Sequence, residues 1–269
     1  PLFVYLHTIE PHMPYRPPED LWRTWAPQVE PRSLIGSRPA TEAIRKGELE
    51  PSEQFISDTI DLYDAEIAAN DRAFGRFLDA LRARGLADDS IVVVLSDHGE
   101  ELHDHGSWSH GRTLHDESIR VPLIIRWPGV EGGGRVTARV AQVDVLPSLL
   151  SLLGVPAPEA LDGVALAHRE GRRPLYSLLA LSGPPTASIL DKRYKLIERT
   201  IDGVSIRKLY DQVADPGESD NLADRMPVRT GYLAQRLRAW LLANPKRWTE
   251  EDVTMTLELE AELRALGYL

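Results

Sequence analysis

Five of the chain's eight histidines, His98, His103, His105, His110 and His115, lie in one short segment that begins at Asp97. Asp97 offers a hard oxygen and His98 an imidazole nitrogen, a pair that suits a divalent cation. The imidazoles that follow are groups able to bind an anion or move a proton near neutral pH. A loop of solvated histidines is the plain alternative for any single Asp-His dipeptide; the concentration of titratable groups in one segment argues for a site. Further back, His12 stands in Thr8-Ile9-Glu10-Pro11-His12-Met13-Pro14-Tyr15-Arg16-Pro17-Pro18, where four prolines exclude helix and hold the loop in place. It reads equally as a ligand-facing histidine and as one satisfied by backbone partners.

These residues need elements to position them. Ile91-Val92-Val93-Val94-Leu95 is a continuous apolar run, the pattern of a strand covered on both faces, and Ser96-Asp97-His98-Gly99 follows at once. In open α/β sheets ligands bind beyond the carboxyl ends of strands, which is where this places Asp97 and His98. Pro1 to His7 reads as a first buried strand and Leu123 to Trp127 as another. Between them Ile56, Ile60, Tyr63, Ile67, Phe74, Phe77, Leu78 and Leu81 recur at helical spacing, predicting a long amphipathic helix over 52–84 with Gly85 at its end. Strand, helix and strand in that order predict a parallel sheet sandwiched by helices. The acidic residues of that helix, Asp58, Asp61, Asp64 and Glu66, read as a solvated face. Residues 20–50, with Trp22 and Trp25 among prolines, read as irregular: either they line the mouth of the site and help choose the substrate, or they are a packed surface excursion. Asp144 is expected to cap a short helix to Leu153.

After Pro156 the texture changes to short, turn-bounded segments, at 175–179, 186–190, 194–199 and 204–210, with Asp202-Gly203 as a hairpin signal. They predict a small antiparallel sheet covered by a helix over 231–243. The expected architecture is therefore α/β: a sandwiched, mainly parallel sheet with helices on both faces, plus that small antiparallel sheet. Domains are expected at 1–169, 170–245 and 246–269, the last a helical tail with its helix over 250–266. The length of 269 residues, 42% hydrophobic and 27% charged, is that of an ordinary globular chain. A formal charge of −10 and no basic block argue against a nucleic-acid partner. No apolar run approaches the ~20 residues of a membrane span. The chain has no cysteine, hence no disulfide and no thiolate metal site.

The histidine segment also carries a resemblance. Ser96-Asp97-His98-Gly99-Glu100-Glu101-Leu102, Asp104-His105-Gly106, Ser109-His110-Gly111 and Leu114-His115-Asp116-Glu117-Ser118-Ile119-Arg120-Val121-Pro122 are similar to the sulfatases of the alkaline-phosphatase superfamily. Glu10-Pro11-His12-Met13-Pro14-Tyr15, Val143-Asp144-Val145-Leu146-Pro147-Ser148 and Asp215-Pro216-Gly217-Glu218-Ser219-Asp220-Asn221-Leu222 match the same family in the same order. The resemblance implies hydrolysis of small anionic sulfate monoesters. It assigns Asp97 and His98 to a divalent metal, calcium first, with manganese or magnesium as the other candidates. It places His12 and His110 on the sulfate, His110 standing where many members carry lysine, and it puts His105 in a supporting role. The family's nucleophile, a formylglycine made in a Cys-x-Pro-x-Arg motif, and its paired metal-binding aspartates match nothing in this chain. The expectation is that the chain is the C-terminal portion of a longer protein, with the formylglycine upstream, and that alone it neither turns over sulfate esters nor holds a metal tightly. Two alternatives stay open: a phosphonate or phosphodiester hydrolase or phosphoethanolamine transferase of the same superfamily, and a non-catalytic domain.

Overall fold

The computed structural model describes residues 2–31, 33–130, 133–168, 173–180 and 185–244. The tail helix expected over 250–266 lies outside the described residues. The chain divides into two compact units, one of residues 2–110 with 120–130, the other of 111–119 with 133–244. No helix of the described residues is long and apolar enough to cross a membrane.

In the first unit α1 (Glu19–Trp25), α2 (Arg38–Arg45) and α3 (Glu53–Ala83) precede β1 (Val92–Leu95), and β2 (Leu123–Arg126) follows the histidine segment. The long helix starts and stops where expected: the Ser52 side chain accepts from Phe55 N at 3.2 Å, and Gly85 takes φ +65° after the last turn. The stretch read as irregular contains two helices. Pro39 sits in the first turn of α2, and Pro18, just ahead of the stretch, stands before α1, both places where a missing N–H costs nothing; Pro27 and Pro31 lie between the two helices. Trp22 of α1 packs with Met13, Tyr15, Ala26, Val29 and Leu62 in the core of this unit, and its indole N–H donates to Val29 O at 2.8 Å.

The expected parallel sheet is not what the described residues form. β1 and β2 pair antiparallel, Val92 opposite Arg126 and Leu95 opposite Leu123, in a two-stranded sheet. Nor is it fully buried, since Ile124 is 62% exposed. Residues 2–9 form no strand, with Leu2 86% and Phe3 82% exposed. An apolar run records how much cover a strand is suited to; it does not record which strand lies beside it.

The second unit contains α4 (Asp116–Ile119), α5 (Val145–Leu152), a meander of β3 (Leu175–Leu179), β4 (Thr186–Asp191), β5 (Tyr194–Ile201) and β6 (Val204–Asp211), and α6 (Pro227–Ala243). The sheet order is β3-β4-β5-β6, antiparallel throughout. Asp202 and Gly203, both at positive φ, make the last turn. Ile189, Leu196 and Leu209 face Leu233 and Leu237 of α6, while Ile197 and Tyr210 face Leu114 on the other side, the period-two alternation of a sheet covered on both faces.

Candidate active site

The histidine segment is built on β1. Beyond Leu95 the Ser96 hydroxyl donates to His98 O at 2.5 Å, and Asp97 Oδ1 accepts from His98 N at 2.9 Å. His98 Nδ1 lies 2.8 Å from Gly99 O; a carbonyl only accepts, so Nδ1 carries a proton, and in the neutral ring Nε2 is the nitrogen with the lone pair. That Nε2 is 3.7 Å from Asp97 Oδ2. A carboxylate oxygen and a bare imidazole nitrogen so placed fit one divalent cation: donor types, tautomer and separation all suit it.

The chain next leaves the site and returns. Buried Glu101 accepts from His105 N at 3.1 Å and Ser107 N at 2.8 Å through one carboxylate oxygen, and its backbone oxygen accepts from Ser109 N at 2.7 Å. Leu102 bridges Trp108 across this excursion, with His103, Gly106 and Ser109 at positive φ. His110 therefore comes back to its starting point. Its Nδ1 lies 3.1 Å from Glu100 Oε1, and its ring is 4.1 Å from that of His98. Arg45, the last residue of α2, donates to Trp108 O at 3.3 Å and His110 O at 3.4 Å.

His12 arrives from the proline loop. Its ring is 5.3 Å from that of His110, and its Nδ1 is 2.7 Å from Met13 O. The loop is fastened to α3, where Asn70 donates to Glu10 O at 2.9 Å and the buried Glu66 accepts from Arg16 N. Asp58 of the same helix is buried as well, accepting from Gln28 and Gln54 at 2.8 Å each. These two carboxylates are packed pins rather than members of a solvated face. Burial, and then the nearby His110 and Arg38, hold His12 below the ordinary histidine value against the raising influence of Met13 O and Glu100.

Four residues singled out in the sequence thus stand together, Asp97, His98, His110 and His12. His105 is placed by a different carboxylate, a ring nitrogen lying within 4.8 Å of a Glu101 oxygen. His115 belongs to a buried network of the second unit. There its Nδ1 is 2.9 Å from Glu218 Oε2, and Lys195 Nζ is 2.8 Å from both Glu218 and Asp116.

The residue that sequence reasoning passed over is Glu100. Its side chain is buried, with one oxygen on His110 and the other accepting from Tyr15 OH at 3.1 Å. Burial, then the Glu100 charge, pushes the Tyr15 phenol well above its ordinary value, and the same two causes push Tyr63 up to about 12. Both phenols stay protonated, so Tyr15 remains a donor. The signal was available in part, since Glu100 and Tyr15 sit inside the two motifs; that they meet across 85 residues was not.

The sulfatase family model matches residues 1–155. Arylsulfatase K of Bos taurus is 30% identical over 204 residues, which cover 70% of this chain and 37% of that protein. Among solved structures, BT4656 in complex with its substrate D-glucosamine-2-N,6-O-disulfate superposes with a TM-score of 0.63 at 27% identity, covering 78% of this chain and 46% of that one. The phosphonate monoester hydrolase of Agrobacterium radiobacter superposes with a TM-score of 0.68 at 26% identity, over 86% and 55%. The chain spans between about a third and just over half of the length of these relatives. Matched by the family model over more than half of its residues, it belongs to the sulfatase family of the alkaline-phosphatase superfamily.

Proposed function

We propose that the protein to which this chain belongs hydrolyses sulfate monoesters, with the sulfate held at His12 and His110 and a divalent cation at Asp97 and His98. The observation that carries this reading is the convergence of three imidazoles and one carboxylate at the end of β1, the His98 and His110 rings 4.1 Å apart and the His12 and His110 rings 5.3 Å apart, in a member of the sulfatase family. A sulfated sugar is a fitting substrate class, since the neighbour BT4656 is complexed with one.

Each imidazole has a distinct part. Met13 O and Gly99 O hold the protons of His12 and His98 on Nδ1, so Nε2 is the working nitrogen in both rings. Because His12 is held low, an anion arriving at its Nε2 brings a proton with it, and the ring becomes a donor only when there is charge to receive it. His110, oriented by Glu100, is the group to protonate the leaving oxygen as the S–O bond breaks. His105 supports the loop. Calcium, or manganese or magnesium in its place, would neutralise charge on the sulfate oxygens. The nucleophile is a formylglycine upstream of this chain, which alone turns over nothing. β1 and β2 belong to a larger, mainly parallel sheet sandwiched by helices, a reading supported by the exposed apolar side chains of Ile124 and residues 2–6.

The test is a parallel assay of the full-length protein, supplied with calcium or manganese, on an aryl sulfate, an aryl phosphate and an aryl phosphonate monoester. Sulfate turnover is expected to exceed the other two. Asp97→Ala is expected to lower both metal content and turnover, the latter at least about 100-fold. Unchanged metal stoichiometry in that variant sinks the metal assignment. Preferred turnover of the phosphonate puts the protein with the second reading, a phosphonate hydrolase, which the Agrobacterium radiobacter neighbour favours.

A further inference from the structure

Beside His12 opens a cavity of about 220 Å³ whose lining includes Arg16, Arg38, Glu10 and Glu66. The two arginines differ in what they already do. Arg16 donates to Tyr15 O at 2.7 Å and Ile35 O at 3.5 Å, so its guanidinium is committed to holding the proline loop. Arg38 is exposed, and no hydrogen bond or ion pair to another described residue occupies it. A guanidinium that lines a cavity without a partner is a ready receptor for a carboxylate or sulfate, which it grips with two parallel N–H bonds.

Its position is firm although its side chain is exposed. Arg38 opens α2, whose N-cap Ser37 accepts from Ala40 N at 3.4 Å. Gly36, two residues before, takes φ +64°, and its carbonyl accepts from Tyr15 N at 2.9 Å. Tyr15 in turn donates to Glu100, which orients His110. The start of α2 is thus keyed to the same tyrosine that sets the His110 ring, and the other end of α2 holds the His110 carbonyl through Arg45. His12 and Arg38 line the same cavity, so a group held at His12 shares that space with Arg38.

We infer that Arg38 is a selectivity residue: it receives a second anionic substituent, a carboxylate or a further sulfate, of a substrate whose sulfate ester is held at His12 and His110. This rests on the sulfuric ester hydrolase reading above. Of the two carboxylates in the lining, Glu66 is buried and accepts from Arg16 N, and the exposed Glu10 suits a sugar hydroxyl and repels anions, leaving Arg38 as the uncommitted point where a second negative charge gains.

The test uses the full-length protein and three probes matched in their sulfate ester: a neutral sugar monosulfate, the same sugar with a second sulfate, and a uronic acid monosulfate. The quantity read is the ratio of kcat/KM on each doubly charged probe to that on the neutral one. A change transmitted through His12 acts on all three probes and cancels in the ratio. For Arg38→Gln the ratio is expected to fall about 10- to 100-fold, the worth of one charge-assisted contact, mainly through KM. Arg38→Lys, which keeps the charge but not the fork, is expected to recover part of it. A fall on the disulfate alone assigns the site to sulfate, and a fall on the uronate alone assigns it to carboxylate. If the wild-type protein hydrolyses the probes and Arg38→Gln leaves the ratio as it was, Arg38 has no such role. If the wild-type protein hydrolyses none of the three sulfate esters, the reading of the whole site fails, and this inference with it.

Discussion

Glu100 is the residue on which the arrangement of the site turns, because it spends one carboxylate oxygen on each of two segments. Its Oε1 faces His110, and its Oε2 accepts from the phenol of Tyr15, both at 3.1 Å and both out of water. A buried carboxylate is tolerable only while its lone pairs are used. Tyr15→Phe removes one donor and keeps the ring that packs against Leu62 and Tyr63, separating the hydrogen bond from the packing. The variant is expected to lose about 1–2 kcal/mol in urea unfolding. A midpoint equal to that of the wild type would mean that Glu100 finds another donor and that the phenol does not matter. Asp97 and His98 drew notice as an Asp-His pair at the end of an apolar run, and the parts given to His12 and His110 came from the family resemblance. Glu100 was printed in the same motif and carried no local mark of its task, since only the return of the chain at His110 and the arrival of Tyr15 give it one.

At the scale of elements, α2 shows why prolines were misread. A proline ends a helix that runs into it but suits the first turn of one that starts there, and Ser37-Arg38-Pro39 is such a start. Gly36, before the cap, has two separate reasons to be glycine. Its φ of +64° is left-handed, and a Cβ there would stand 2.9 Å from Tyr15 Cδ2 and 3.3 Å from Leu62 Cδ1. Gly47, after the other end of α2, has a similar φ of +71° and nothing within 4 Å. The two glycines therefore make a matched pair. Gly47→Ala is expected to cost only the conformational part, about 1–2 kcal/mol, and Gly36→Ala at least about 1 kcal/mol more, because the Tyr15 ring must move. Equal shifts in urea midpoint for both would show that Tyr15 gives way freely, and the keying of α2 to the tyrosine would be lost. The four-stranded sheet was readable for the opposite reason: β4, β5 and β6 are joined by tight local turns at Lys192-Arg193 and Asp202-Gly203, and the alternation of the strands is a local property. β1 and β2 carried the apolar runs but no turn to announce each other, since the whole histidine segment intervenes.

At the scale of the whole molecule, the second unit buries a network of charges beside its apolar core, and this sets how it meets acid. Lys195 and Glu218 are each 1% exposed, and His115 is 3%. Glu218 accepts from His115 Nδ1 at 2.9 Å, Asp116 N at 3.0 Å, Lys195 at 2.8 Å and Gln212 at 2.5 Å. The segment 111–119, the meander and the loop after β6 are thereby tied by contacts far apart in sequence, which is why the Asp-Pro-x-Glu motif could be matched to a family without its physical task being read. Burial pushes the Glu218 carboxyl up, but the His115 hydrogen bond and the Lys195 charge outweigh it, so it titrates below the ordinary 4.5. A carboxylate whose folded value is depressed binds fewer protons folded than unfolded. Its contribution to stability is present in full above about pH 4.5 and is lost as pH falls below that, through the folded value. Glu218→Gln leaves Lys195 buried beside only Asp116, which is expected to cost about 3 kcal/mol near pH 7. At acid pH the wild type loses the same charge, and the gap between the two proteins should close. Urea unfolding of both at about pH 7, 5 and 3.5, followed by near-ultraviolet circular dichroism of the stacked Tyr176 and Trp240 rings in the same unit, measures that gap. A gap of constant size across the three conditions would show that the carboxyl is already protonated in the folded protein, and that hydrogen bonding rather than charge holds Glu218 to Lys195.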